Sequence, residues 1–203
     1  MSSKGERTRR KILDVALRQL RSQGPARVRM EDVARAAGIS RQALYLHFAS
    51  RTQLMVALIE HLSEVADGAA LFRRAEEKAD VGERMEEGLK ASTRLIARIH
   101  DVALALDVAR HSDDSAAAAW DARGKLRRDG IRRTIALAAR AGRLRKGWTV
   151  DQVADALWSL AAPRLYGDLV LERGWSRARL ERLMVALART FIEPRAPRAR
   201  RSS

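Results

Sequence analysis

The sequence contains no cysteine, only four prolines and 4% aromatic residues among its 203 positions. Without cysteine the chain can have no disulfides, thiolate metal sites, cysteine nucleophiles or zinc fingers. The longest uninterrupted apolar run is six residues, whereas a membrane-spanning helix needs about 20. The first 11 residues are polar and basic, so we expect neither a secretory signal nor a lipid anchor. The prediction is a cytoplasmic protein without a membrane partner.

Motifs that carry catalysis are also missing from the sequence. There is no glycine-rich phosphate loop, no His-Glu-x-x-His pair and no serine in a nucleophile-elbow motif. We therefore expect a protein that is not an enzyme and that has no cofactor or metal. Turnover after addition of common cofactors is the observation that would favour the enzyme alternative.

Positive charge is abundant and concentrated near the amino terminus. The chain has 40 Lys and Arg against 25 Asp and Glu, a net charge of +15, and the first 54 residues alone carry 12 basic and 4 acidic side chains. Such a cationic end fits a polyanionic partner, with nucleic acid as the leading candidate and an anionic membrane surface as the other. Solubility alone is a third explanation of the charge.

Apolar residues recur at helical spacing along almost the whole chain, and no segment alternates as a strand does. We predict an all-α fold of about nine helices, with a kink at Pro163. The predicted helices span 6–23, 30–37, 41–48, 51–71, 80–99, 101–112, 114–143, 149–173 and 176–192. The predicted domains are a basic amino-terminal domain at 6–66 and a second helical domain at 67–192, followed by a basic disordered tail at 193–203.

Residues 29–48, RMEDVARAAGISRQALYLHF, have the layout of a helix-turn-helix. Gly38 provides the tight turn, and Leu44 and Phe48 point inward to anchor the second helix of the pair. The outward positions hold residue types that hydrogen-bond to bases or phosphates. These are Ser40, Arg41, Gln42, Ala43, Tyr45 and His47. For Tyr45 and His47, a packing role within the core is the alternative.

The segment from Val33 to Leu54, VARAAGISRQALYLHFASRTQL, resembles the signature of the TetR family of transcriptional regulators. The resemblance implies that Tyr45, His47 and Arg51 contact phosphates, and that Arg41, Gln42 and Ala43 meet bases. Arg29 and Met30 stand where the family often has a capping Thr or Ser, so the phosphate contact there is assigned to Arg29 or to backbone amides. A repressor of a palindromic operator is the implied function, and a sequence-independent nucleic-acid-coating protein is the alternative.

The last two predicted helices carry wide apolar stripes that would suit a symmetric four-helix bundle with a second chain, as the resemblance also implies. Internal core is the alternative for these stripes. The predicted interface residues are Leu157, Ala161, Leu165, Leu180, Leu183, Met184, Leu187 and Phe191.

The resemblance further implies that a small-molecule effector binds among the central helices. The candidate ligand residues are His100, Leu104, Asp107, Trp120 and Trp158. The two tryptophans are more commonly core residues than ligand contacts. His100 and Asp107, which share one helical stripe, are expected to be solvated. Two clusters of basic residues, 127–133 and 143–146, are predicted to be solvated faces, and they do not by themselves indicate an anionic ligand.

Overall fold

The computed structural model describes residues 4–24 and 28–194 of the chain. Within those residues the protein is all-α, with ten α-helices, one π-helical segment and no strand. The helices are α1 (Lys4–Gln23), α2 (Met30–Ala37), α3 (Arg41–His47), α4 (Arg51–Val65), α5 (Gly68–Glu76), α6 (Val81–Ala109), α7 (Asp114–Arg140), α8 (Val150–Leu160), α9 (Pro163–Tyr166) and α10 (Arg177–Arg189), with the π-helical segment at Gly167–Glu172. The predicted disordered tail lies almost entirely outside the described residues.

Helix starts follow the capping signals of the sequence. Ser40, Ser50 and Ser176 each accept a hydrogen bond from the backbone N–H three residues later. Thr149 and Gln152 form a complete capping box before α8. Before α4, the Gln53 side chain accepts from the N–H of Ala49 at 2.9 Å, one residue before the Ser50 cap.

The fourth helix ends earlier than its apolar pattern predicts. It stops at Val65, and Asp67 has a positive φ of 48°, a left-handed conformation that a short polar side chain tolerates. A separate helix, α5, then begins at Gly68. The Val65 side chain, at the end of α4, is 71% exposed.

The fifth and sixth predicted helices are one continuous helix, α6. Asp101 is typical of a helix start in the sequence, but its carboxylate lies 3.2 Å from Nδ1 of His100 instead of capping a new helix. No proline or glycine lies between residues 89 and 109. The predicted break is therefore wrong because nothing there competes with the helical backbone hydrogen bonds.

Pro163 divides the eighth predicted helix instead of kinking it. Helix α8 ends at Leu160, and Ala162 has an extended ψ of 147°, as expected for a residue before proline. Pro163 then occupies the first turn of the short helix α9, where its missing N–H is tolerated.

The structure divides into two compact units. The first contains the described residues up to Gly68 together with Leu95–Gly124, and the second contains Ala69–Arg94 together with the described residues from Lys125 onward. Helices α6 and α7 each contribute to both units. The division of the chain between residues 66 and 67 remains a prediction.

Each unit has its own apolar core. In the first, residues of α1 to α4 pack with Leu106 and Ala116. In the second, Leu89 of α6 and Ile135 of α7 pack against α8 and α10. No helix among the described residues combines the length and the apolar character needed to span a bilayer.

A polar contact joins the start of α4 to the turn before α7, within the first unit. The buried hydroxyl of Thr52 donates to Oδ2 of Asp113 at 2.9 Å. The other carboxylate oxygen accepts from the backbone N–H groups of Ser115 and Ala116 and from the Ser115 hydroxyl. Asp113 therefore caps α7 and holds α4 at the same time.

This arrangement predicts a pH-dependent contribution of Asp113 to stability. The hydrogen bonds from Ser115, Ala116 and Thr52 lower the pKa of Asp113 from 3.8 to about 2. A lowered pKa means that the ionised carboxylate stabilises the folded state above about pH 4, and that this contribution is lost as the pH falls towards 2. Replacing Asp113 with Asn is expected to lower the urea midpoint at pH 6, with the difference from the wild type shrinking between pH 4 and pH 2.

Asp114→Asn is the matched control, because it removes the same charge from the neighbouring residue without these hydrogen bonds. Urea titrations across that pH range measure both variants. An Asp113→Asn deficit that stays constant down to pH 2 would contradict the predicted link to ionisation.

Candidate nucleic-acid interface

Helices α2 and α3 form a helix-turn-helix around Gly38. Gly38 has a φ of +66°, a conformation that favours glycine. The N–H groups of Gly38 and Ile39 donate to the carbonyls of Arg35 and Ala34, both at 3.1 Å, and close the end of α2. The predicted turn is confirmed. Arg29 precedes α2 and its side chain makes no capping hydrogen bond.

The inner face of α3 is anchored in the first core. Leu44 is fully buried and Phe48, the residue that ends the helix, is 1% exposed. The Arg9 guanidinium carbon lies 4.4 Å from the centre of the Phe48 ring, and Nη1 of Arg9 donates to the carbonyl of His47 at 3.4 Å. Arg9 of α1 therefore packs on the end of α3 instead of extending into solvent.

The outer face of α3 presents polar and cationic groups. Arg41, Gln42 and Tyr45 are exposed. Nη2 of Arg41 lies 3.3 Å from a carboxylate oxygen of Glu31 in α2, and the Arg41 guanidinium carbon lies 5.6 Å from the centre of the Tyr45 ring. These contacts hold Arg41 along the ridge of the helix rather than against the core.

The other predicted DNA-contacting residues surround this ridge. Ser40 is exposed and caps α3 through its hydroxyl. Ala43, His47 and Arg51 are half-buried, and Arg29 is exposed. The structure thus brings the predicted residues to one helix-turn-helix and to the start of α4.

Leu46 is a residue of this surface that sequence reasoning missed. It lies between Tyr45 and His47 on α3 and its side chain is 84% exposed. Gln42 is four residues earlier, so the two side chains share one face of the helix. The exposure of Leu46 could have been predicted from the sequence, because Leu46 lies two residues after the inward Leu44. A step of two residues turns a helix by about 200° and places the side chain on the opposite face.

The structure gives the local surroundings of each candidate ligand residue. His100 is buried and pairs with Asp101, Leu104 is half-buried, and Asp107 accepts a 2.6 Å hydrogen bond from Arg110. Trp120 packs on the first core with the Arg110 guanidinium over its ring. Trp158 belongs to the second unit and faces Arg127. No group of three or more potential metal ligands occurs within the parts of the chain that the structure describes.

The predicted interface residues separate into two classes. Leu157, Ala161, Leu180 and Met184 are each at most 3% exposed and belong to the second core. The prediction that these four contact a partner is corrected, because their own chain already covers them. Leu165, Leu183, Leu187 and Phe191 are half-buried and keep accessible apolar surface.

Residues 12–58 match the family model of bacterial regulatory proteins, tetR family. The chain is 35% identical over 75 residues to the HTH-type transcriptional regulator TtgR of Pseudomonas putida, and the match covers 37% of this chain and 36% of TtgR. The chain therefore spans about a third of the length of the curated relatives it matches. Helices α2 and α3 and the larger part of α1 lie within the matched residues.

Solved structures resemble the fold over nearly the full length. A proposed transcriptional regulator from Saccharomonospora viridis, solved in complex with choline, superposes with a TM-score of 0.76 at 21% identity over 94% of this chain and 100% of that one. The regulator FadR from Bacillus subtilis, solved in complex with stearoyl-CoA, superposes with a TM-score of 0.72 at 15% identity over 88% of this chain and 96% of that one. Residues 12–58 therefore carry a domain that matches the bacterial regulatory proteins of the tetR family, and the chain shares its fold with these solved structures.

Proposed function

We propose that this protein is a transcriptional regulator that binds a specific DNA sequence through the outer face of α3. The exposed ridge of Arg41, Gln42 and Tyr45 on a helix anchored by Leu44 and Phe48 is the observation that carries the proposal. A recognition helix must be fixed on one side and open on the other in order to enter a major groove. This helix meets both requirements.

The chemistry of the ridge assigns a role to each side chain. Arg41 suits bidentate hydrogen bonds to guanine, Gln42 suits adenine, and the Ala43 methyl suits the methyl group of thymine. The exposed Leu46 adds a second apolar group beside Gln42, so we propose a thymine methyl as its contact too.

The residues around the ridge are suited to the phosphates, which position the protein without carrying sequence information. Tyr45, His47 and Ser40 supply hydrogen-bonding groups, and Arg29 and Arg51 supply positive charge. Arg29 stands before the uncapped start of α2, where unpaired backbone N–H groups also favour an anion.

We also propose that the protein works as a homodimer. The half-buried Leu165, Leu183, Leu187 and Phe191 leave an apolar surface on the second unit that a second copy would cover. A symmetric dimer presents two recognition helices to successive major grooves about 34 to 36 Å apart, which matches an operator with two-fold symmetry.

The proposed regulation is repression relieved by a small molecule. Two neighbours in fold were solved with choline and with stearoyl-CoA, and those ligands support a ligand-responsive role for this chain without identifying its effector. Relief requires that the effector bind the DNA-released state more tightly than the DNA-bound state.

Selection of bound sites from random DNA by the purified protein tests the proposal. We expect one enriched sequence with two inverted half-sites whose centres are about one helical turn apart or a multiple of it. Binding to this site should exceed binding to random DNA by at least about a thousandfold at physiological salt. No enrichment, with affinity that depends only on salt, would instead establish a sequence-independent coating protein, which the charge of +15 also allows.

A further inference from the structure

Helices α7 and α8 face each other with charged side chains. Arg128 lies 2.5 Å from Asp155 and 3.2 Å from Asp151, and Arg132 lies 2.8 Å from Asp151. The two arginines donate hydrogen bonds to these carboxylates, and this pairing raises the pKa of both arginines. Arg132 is exposed and Arg128 is half-buried, so these two arginines pair with acids on a face that remains accessible to solvent, as the sequence predicts.

Arg127 belongs to the same cluster in the sequence, but it has no acidic partner among residues 4–24 and 28–194. Its Nε is buried and makes no hydrogen bond within those residues. Its guanidinium carbon lies 5.3 Å from the centre of the Trp158 ring on α8. Burial lowers the pKa of Arg127, although a guanidinium stays protonated at any physiological pH.

A charged group removed from water without a counter-charge is unfavourable, and an anion that reaches it relieves that penalty. The residue as a whole is half-buried, so part of its side chain remains accessible. Asp151 and Asp155 do not supply the counter-charge of Arg127, since they already pair with Arg128 and Arg132.

We propose that Arg127 and Trp158 form a binding subsite for a carboxylate-bearing organic molecule. The guanidinium fork matches a carboxylate in two parallel hydrogen bonds. A single unneutralised positive charge suits a monovalent anion rather than a phosphate dianion, and the Trp158 ring suits the apolar body of an organic acid. This inference rests on the proposed function in one respect, because the bound molecule is identified with the effector.

Thermal unfolding of the purified full chain tests the subsite, with sodium benzoate as the probe. Benzamide is its neutral isostere, and inorganic phosphate tests for a general anion effect. Benzoate at about tenfold above its dissociation constant is expected to raise the Tm by roughly 3 to 6 °C. Benzamide and phosphate are expected to leave the Tm unchanged. Because this comparison uses the wild-type chain, it decides the proposal even if a variant fails to fold.

Arg127→Met is expected to lose the benzoate response without a decrease in the Tm of the ligand-free protein, since an unpaired cation is removed. Arg133→Met is the matched control, because it removes an equal charge from an exposed position on the same helix and should keep the full response. A benzoate response that survives in Arg127→Met, or an equal response to phosphate, would overturn the subsite. A third result would also overturn the subsite: the wild type is a dimer that does not respond to benzoate, and Arg127→Met is a monomer. In that case a carboxylate of a second copy of the chain would be the partner of Arg127.

A DNA-release experiment separates this inference from the proposed function. Addition of benzoate to the complex with the selected DNA site is expected to release the wild type but not Arg127→Met. If no DNA site is enriched while the benzoate shift depends on Arg127, the subsite stands and the regulator proposal fails. If a site is enriched but benzoate has no effect on stability or DNA release, the regulator proposal stands and the subsite fails.

Discussion

Replacing Phe48 with alanine is expected to lower the free energy of unfolding of the first unit by about 3 to 5 kcal/mol. Phe48 is 1% exposed and belongs to the core that supports α3. The substitution removes the ring from this core and also removes the contact with the Arg9 guanidinium at 4.4 Å. Urea unfolding followed by circular dichroism measures the loss, and DNA binding should weaken as α3 loses its anchor.

Leu46→Ala is the control for Phe48→Ala, because it shortens a large apolar side chain two residues away on the opposite face. The Leu46 side chain is 84% exposed, so its truncation should change the free energy of unfolding by no more than about 0.5 kcal/mol. On DNA the same variant should discriminate less between thymine and deoxyuridine, which lacks the methyl group, at the contacted position. Equal destabilisation by the two variants would contradict the proposed orientation of α3.

Replacing Arg41 or Gln42 with alanine is expected to weaken binding to the selected DNA site by about 1 to 3 kcal/mol, or roughly 5- to 150-fold. Each variant removes hydrogen bonds to one base, so sequence preference should relax only at that position. Arg41 is held in place by Glu31 and Tyr45, which limits the conformational entropy that it loses on binding. Fluorescence titrations against the site and its single-base variants measure both effects.

Two controls separate base contacts from phosphate contacts. Arg51→Ala should weaken binding to all sequences alike and lower the slope of affinity against salt by about one. Arg21→Ala removes one exposed charge from the last turn of α1 and should change the preferred sequence at no position. If Gln42→Ala selected the same DNA sequence as the wild type, Gln42 would not be a base-contacting residue.

The helix-turn-helix could be predicted from the sequence because its determinants are local. Gly38, the cap at Ser40 and the pair Leu44 and Phe48 lie within 11 residues of each other, and each acts through the backbone or through the nearest helical turn. The starts of α8 and α10 were predictable for the same reason. Leu46 could not be singled out as a site residue in the same way, because a large apolar side chain is more typical of a core than of an exposed face.

Errors arose where a local signal competed with contacts from distant residues. Asp101 has the chemistry of a helix cap, yet α6 continues through it. Arg9 has the chemistry of a solvent-facing residue, yet it packs on Phe48, which is 39 positions later in the chain. Val65 fits the apolar stripe of α4, yet the helix ends at that residue and the side chain is exposed.

By itself, the sequence determined the all-α class, the bounds of the helix-turn-helix and the chemical character of its outer ridge. Those properties depend on periodicity, caps and one glycine, whose effects reach only a turn or two along the chain. The tertiary structure alone decided which apolar residues of α8 and α10 are core and which remain accessible, and which arginines of α7 meet an acid. Arg127 and Arg128 are adjacent in the chain, but a helix turns by about 100° per residue. Only the packing of α7 against α8 therefore places Arg128 beside Asp155 and Arg127 beside Trp158.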